Sequence, residues 1–212
     1  MQSDLETSAF SRAKHELYEL LARLRKDHRG VAAVEFGLIV PIMFMLFVGS
    51  VEMSQALTVD RRVTQSASAS ADLVARAPVA GLSTSDVDGL MLIVNQLMKP
   101  YDAGPLTVNI VSVKAQTVGG ALKILVDWSR DNHGATPYAR NATFTTLPAN
   151  LLAAGESVIV SETKYTYTPL IFSYLIKSAF DMKETFYLKP RNSSCVNLLP
   201  INCVTGATIA SK

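Results

Sequence analysis

The chain has little of what most enzymes use. In 212 residues it holds three histidines, His15, His28 and His133, and two cysteines, Cys195 and Cys203. It has no His-Glu-x-x-His pair, no Gly-x-Ser-x-Gly elbow, no glycine-rich phosphate loop and no Cys/His pairing. A zinc site needs more ligands than the two cysteines and scattered histidines supply. The sequence therefore names no catalytic residue, no metal ligand and no cofactor. His133 stands beside Asp131 and Asn132 in a polar stretch that reads as a surface loop. Charge of one sign is also lacking, since 20 Lys and Arg face 18 Asp and Glu, a net of +2. Six of the basic and five of the acidic residues fall within positions 1–29, which leaves the rest at +1. Nothing here is a nucleic-acid footprint, and no nucleic-acid partner is expected. Internal repeats and low-complexity tracts are absent as well.

The most telling scarcity is local. From Val31 to Val51 the only ionisable residue is Glu35, whereas Arg23, Arg25, Lys26, His28 and Arg29 crowd the N-terminal side. These 21 residues in a helix span roughly 31 Å, about one hydrocarbon core. The stretch reads as one transmembrane helix. The basic cluster is expected to stay cytoplasmic, with the chain beyond about Glu52 on the far side. Glu35 is out of place, because a carboxylate costs about 2.5–3.5 kcal/mol at the centre of such a helix and less near its ends. Pro41 removes a backbone hydrogen bond and tends to kink a helix, which membrane helices tolerate.

Spacing makes the stretch more specific. Gly30 is followed by Val31-Ala32-Ala33-Val34 and then Glu35-Phe36. A basic leader ending in Gly, a glutamate five residues on and an apolar helix behind it resemble a type IV prepilin. With a generic outer domain following, the pattern is most similar to the TadE-like pseudopilins of the Tad (tight adherence, Flp pilus) system. The resemblance implies cleavage between Gly30 and Val31 by a membrane aspartic prepilin peptidase. Glu35 would then pair with the new α-amine of Val31, on its own or a neighbouring subunit, and set axial register. Glu35 and Pro41 would be the helix-packing positions. The implied partners are the peptidase, other pilins and pseudopilins, the pilus assembly machinery and the bacterial inner membrane. The implied placement is single-pass, N-terminus cytoplasmic and C-terminal domain periplasmic. Phe36 departs from the Tyr usual in the major Flp pilin, which implies a minor component, as does the large outer domain.

Two plainer readings stand beside this one. An uncleaved signal anchor carrying a periplasmic binding or enzymatic domain explains the apolar run and leaves Glu35 without a role. A cleavable secretory signal has a shorter apolar region, of about 7–15 residues. Within the leader, Phe10, Ala13, Leu17, Leu20, Leu21 and Leu24 recur at helical spacing. That segment is either an amphipathic helix on the inner leaflet or a solvated tail.

The rest of the chain reads as α+β: the transmembrane helix runs on into a long amphipathic helix packed on a small antiparallel sheet. Positions 1–30 form the leader, 31–51 the span, 52–77 the juxtamembrane helix and 78–212 the outer domain. Ala56, Val59, Val63, Ala67, Ala71 and Val74 make the buried stripe of the juxtamembrane helix, which Pro78 ends. Ser83 and Asp86 form a capping box for a helix over about 84–98. Strands are expected over Leu106–Val113, with a bulge, and Leu122–Ser129, joined by a Gly119-Gly120 turn. Further strands are expected over Val158–Tyr167 and Glu184–Lys189. Leu147–Leu152 reads as a short helical turn. The apolar run Ile171–Phe180 reads as a loop or short helix covering the sheet, or as a membrane-facing patch. Cys195 and Cys203, in an oxidising compartment by this topology, are expected to form a structural disulfide that contributes roughly 2–3 kcal/mol.

Overall fold

The computed structural model describes residues 18, 19, 23, 30–171 and 179–203. The chain divides into two compact units, one ending at Val51 and one beginning at Glu52. The leader positions from Phe10 to Leu24 that carry the helical spacing lie outside the described residues, and so does most of the Ile171–Phe180 run.

Helix α1, Val31–Ala75, is 45 residues long and contains Pro41. In the first unit residues 31–47 are exposed throughout. In the second unit Val59, Val63, Ala67, Ala71 and Val74 are all fully buried. Their spacing of three and four keeps one stripe against the sheet. The end of α1 is satisfied from far along the chain. The Arg191 amide donates to the Ala75 carbonyl, and Asn192 Nδ2 donates to the carbonyls of Arg76 and Ala77. These groups stand in for the helical partners that Pro78 cannot continue.

Strand β1, Leu82–Ser83, leads into helix α2, Thr84–Gln96. The capping box is made: Ser83 Oγ accepts from the Asp86 amide at 3.1 Å, and Asp86 Oδ2 accepts from the Ser83 amide at 2.8 Å. Ser83→Ala should cost about 1 kcal/mol, read as a lower urea midpoint at unchanged slope. Unchanged stability would show that solvent replaces the cap. Val87, Met91 and Val94 bury one side of α2.

The sheet is antiparallel, with strand order β3-β2-β4-β5. Its strands are β2 (Leu106–Val118), β3 (Ala121–Asp131), β4 (Ser157–Tyr167) and β5 (Phe180–Leu188). Gly119 and Gly120, at φ 61° and 79°, make the two-residue hairpin turn between β2 and β3. A bulge shifts the register at Ser112/Val113: Ser112 faces Trp128 and Val113 faces Val126, so Asp127 has no opposite residue. A second, two-stranded parallel sheet joins β1 to β6 (Leu198–Leu199).

One face of the large sheet packs on the helices. Leu106, Val108, Ile110, Trp128, Ile159, Tyr165 and Tyr167 meet the buried valines of α1 and α2 together with Met91 and Met98. The opposite face carries Val111, Val113, Ala115, Val158 and Val160, covered by Phe144 and Leu152 from the irregular stretch between β3 and β4. That same stretch caps the outer edge of β3. The Val126 amide donates to the Ala142 carbonyl, and the Phe144 amide to that of Ile124.

Three expectations change. Residues 147–152 form no helix; they are bends and turns that seat Leu152 under the sheet. Helix α2 stops at Gln96, although Met98 stays buried in the following turns. The last strand begins at Phe180 rather than Glu184. Its start is an edge with both faces largely exposed, so no alternation marks it.

Candidate functional site

The chemistry of the first unit lies in the opening of α1. Gly30 immediately precedes the first α-helical residue, Val31. A Cβ placed on Gly30 meets nothing within 4 Å, and the same holds for Gly37. Packing among the described residues therefore does not require glycine at position 30. Glu35 is exposed one turn in, and among the described residues it has no hydrogen-bond or ion-pair partner. Val34 (72 % exposed), Phe36 (69 %) and Leu38 (73 %) flank it. An 18-residue window of α1 has mean hydropathy 2.4 and is only 6 % buried, so the helix is long and apolar enough to cross a membrane. An apolar surface this continuous, exposed among the described residues, suits a membrane anchor or a signal sequence more than the core helix of a soluble domain.

The second unit is built around polar ties that periodicity does not show. At the bulge, Lys114 Nζ lies 3.1 Å from Asp127 Oδ1, with the side chains 7 % and 1 % exposed. Arg140 approaches the same oxygen at 3.8 Å, and Asp127 Oδ2 has no protein partner. Arg130 binds Asp88 through two hydrogen bonds, at 2.8 and 2.7 Å, and joins β3 to α2. The Arg130 guanidinium holds the Asp88 carboxyl below its usual range. Asn132 ties β2 to α2: Nδ2 donates to the Leu106 carbonyl and to Asn95 Oδ1, while Oδ1 accepts from the Val108 amide. The Tyr138 hydroxyl donates to Glu162 at 2.7 Å, and burial together with that carboxylate pushes its pKa up to about 12. Asp131 accepts from the amides of His133 and Ala135, which makes the His133 stretch a turn organised by Asp131 rather than by the imidazole.

The C-terminal stretch closes the helix side of the sheet. Trp128 Nε1 donates to the Val196 carbonyl at 2.7 Å. Cys195 and Cys203 form a disulfide with Cα atoms 6.3 Å apart. Near the start of the unit, Glu52 is buried and accepts a hydrogen bond from the Ile171 amide.

Among the described residues, the concavities of the second unit include the following two. An open groove of about 740 Å³ runs between α1 and β5, lined by Thr64, Ser68, Asp72, Phe186 and Leu188 among others. A smaller one of about 220 Å³ is lined by Asp127, Arg130, Tyr138 and Arg140 among others. In neither does a nucleophile face a base. Among the described residues no three His, Cys, Asp or Glu side chains are grouped to hold a metal ion.

Compared with known proteins, residues 30–72 match a family model described as TadE-like protein. Searches of curated proteins and of solved structures give no match. The matched segment starts at Gly30 and takes in Glu35, Pro41 and nearly all of α1. Over this segment, Gly30 to Asp72, the chain is similar to TadE-like proteins.

Proposed function

We propose that the protein is a minor pseudopilin that takes part in assembling a Tad-type (Flp) adhesive pilus. In this reading it is made in the bacterial inner membrane with its N-terminus cytoplasmic and its outer domain periplasmic. A prepilin peptidase cuts between Gly30 and Val31. The apolar face of α1 then packs on the helices of other pilins. Glu35 takes an α-amine as its partner and fixes the axial register, while the outer domain meets the assembly machinery.

One observation carries the reading. The family match opens at Gly30, directly before the helix, and five residues on this chain carries Glu35, which has no partner among the described residues and sits in an exposed apolar run. Pairing that carboxylate with an amine offsets the cost of holding either charge in hydrocarbon. The open surroundings of Gly30 fit a position chosen for access by a protease. The test is the N-terminus of the membrane-extracted protein from its own host, by intact mass and terminal peptide sequencing. A chain beginning at Val31 is expected. A chain beginning at Met1 would overturn the processing step and leave an uncut anchor, with the outer domain as a periplasmic binding or enzymatic module.

A further inference from the structure

Large apolar side chains of the second unit stand exposed near the residue that follows the apolar run. Leu170 is 64 % exposed, Phe180 55 % and Ile171 47 %; on α1, Met53 is 63 % and Leu57 54 % exposed. Strand register puts Phe180 opposite Tyr167, so Leu170, Ile171 and Phe180 belong to one end of the β4–β5 pair. The buried Glu52 carboxylate accepts the Ile171 amide and ties that end to α1 at residue 52. Met53 and Leu57 follow within about 8 Å along the helix axis. On the adjoining strand Tyr165 and Tyr167 are buried, whereas Phe180, which lies opposite Tyr167 on the same face, is left exposed at the sheet's end.

We infer that this end of the outer domain is seated in the headgroup–acyl boundary of a lipid bilayer. The inference rests on reading residues 31–51 as a membrane span. Glu52 directly follows Val51 in the chain, so the patch tied to it lies within reach of the bilayer surface whatever the angle of the domain. The bond from Ile171 to Glu52 also satisfies a backbone donor that would be costly to leave unpaired in lipid. Farther along the strands Lys164 and Lys183 face one another, roughly 10 Å from the Tyr167–Phe180 pair, where phosphate headgroups would accept them. Lys164 also holds Asp181 at 2.9 Å.

The full chain offers its own reference. Trp128 is the only tryptophan, is 2 % exposed and is anchored to Val196. Phe180→Trp, Leu170→Trp and, within the apolar run, Phe44→Trp are each reconstituted in phosphatidylcholine–phosphatidylglycerol vesicles with brominated acyl chains. The tryptophans at 44 and 180 are expected to be quenched while Trp128 is not. The residue at 180 should lose about half its emission, more to shallow than to deep bromines, as suits a side chain about 5–10 Å into the boundary. Quenching at 44 with none at 170 or 180 would overturn the inference and leave the span standing. A blue-shifted but unquenched signal at 180 would also overturn it, by placing protein, such as a second copy, over the patch. No quenching at 44 would remove the span and the inference together.

Discussion

Asp127→Ala is expected to destabilise the outer domain by about 3–5 kcal/mol, the usual cost of removing one partner from a buried ion pair. The pair with Lys114 is closed at 3.1 Å, and neither side chain reaches solvent appreciably. The substitution strands the Lys114 ammonium under the sheet and also removes the anion that Arg140 approaches at 3.8 Å, leaving two cations without their shared partner. Exposed pairs set the contrast. Lys164 and Asp181 are 49 % and 44 % exposed, and Asp181→Ala should change stability by less than about 1 kcal/mol. Lys114→Met with Asp127→Leu should recover most of the loss, because Asp127 Oδ2 is unsatisfied and the intact pair contributes little beyond compensating its own burial. Urea unfolding of the solubilised chain, followed by the emission of the adjacent Trp128, gives all three values. If Asp127→Ala unfolds at the wild-type midpoint, the pair is not buried as described here.

Glu35→Ala is expected to separate insertion from assembly. Removing a carboxylate from an apolar helix makes insertion more favourable, by up to about 2.5–3.5 kcal/mol at the centre of the bilayer and less near its edge. The amount of protein in the membrane should therefore stay level or rise. Surface pili should fall to background, because the register partner is gone, or the N-terminus should remain at Met1 if the peptidase reads the glutamate. The readouts are quantitative immunoblotting of membranes, terminal sequencing and pilus counts on the same cells. The opposite signs exclude misfolding as the cause, since a misfolded protein loses both. Wild-type pili from Glu35→Ala would end the register role and favour the plain anchor.

Where residues repeat with the period of their element, the fold was legible from the sequence. The stripe Val59, Val63, Ala67, Ala71, Val74 predicted the buried face of α1. Ser83 and Asp86 predicted where α2 starts, because a capping box is local chemistry three residues long. The Gly119-Gly120 pair predicted the hairpin, since positive φ at two successive residues excludes most other choices. Legibility failed where structure depends on distant partners. Strands β1 and β6 are two residues each and exist because Leu82 and Leu198 come together across more than a hundred positions. The stretch between β3 and β4 has no period, yet it covers a whole face of the sheet and caps the edge of β3. At the candidate site, what was legible is the placement of Gly30 just before α1 and of Glu35 one turn into it, because both follow from where the apolar run begins. Asn132, which ties β2 to α2, and Asn192, which caps the end of α1, carry no signal in sequence.

The amino-acid sequence by itself determined the apolar helix, its lone carboxylate, the position of Gly30 and the α+β class. Each of these follows from composition or short-range periodicity, which act on a chain before any distant contact forms. Tertiary structure alone decided that Asp127 becomes the extra residue of a bulge and is buried against Lys114. It alone decided that Glu52 accepts the Ile171 amide and that Leu170, Ile171 and Phe180 stay outside the core. The physical reason is common to these cases. Whether a charge is buried and paired, or an apolar side chain left exposed, depends on groups that only folding brings within a few ångströms, and no local pattern encodes those distances.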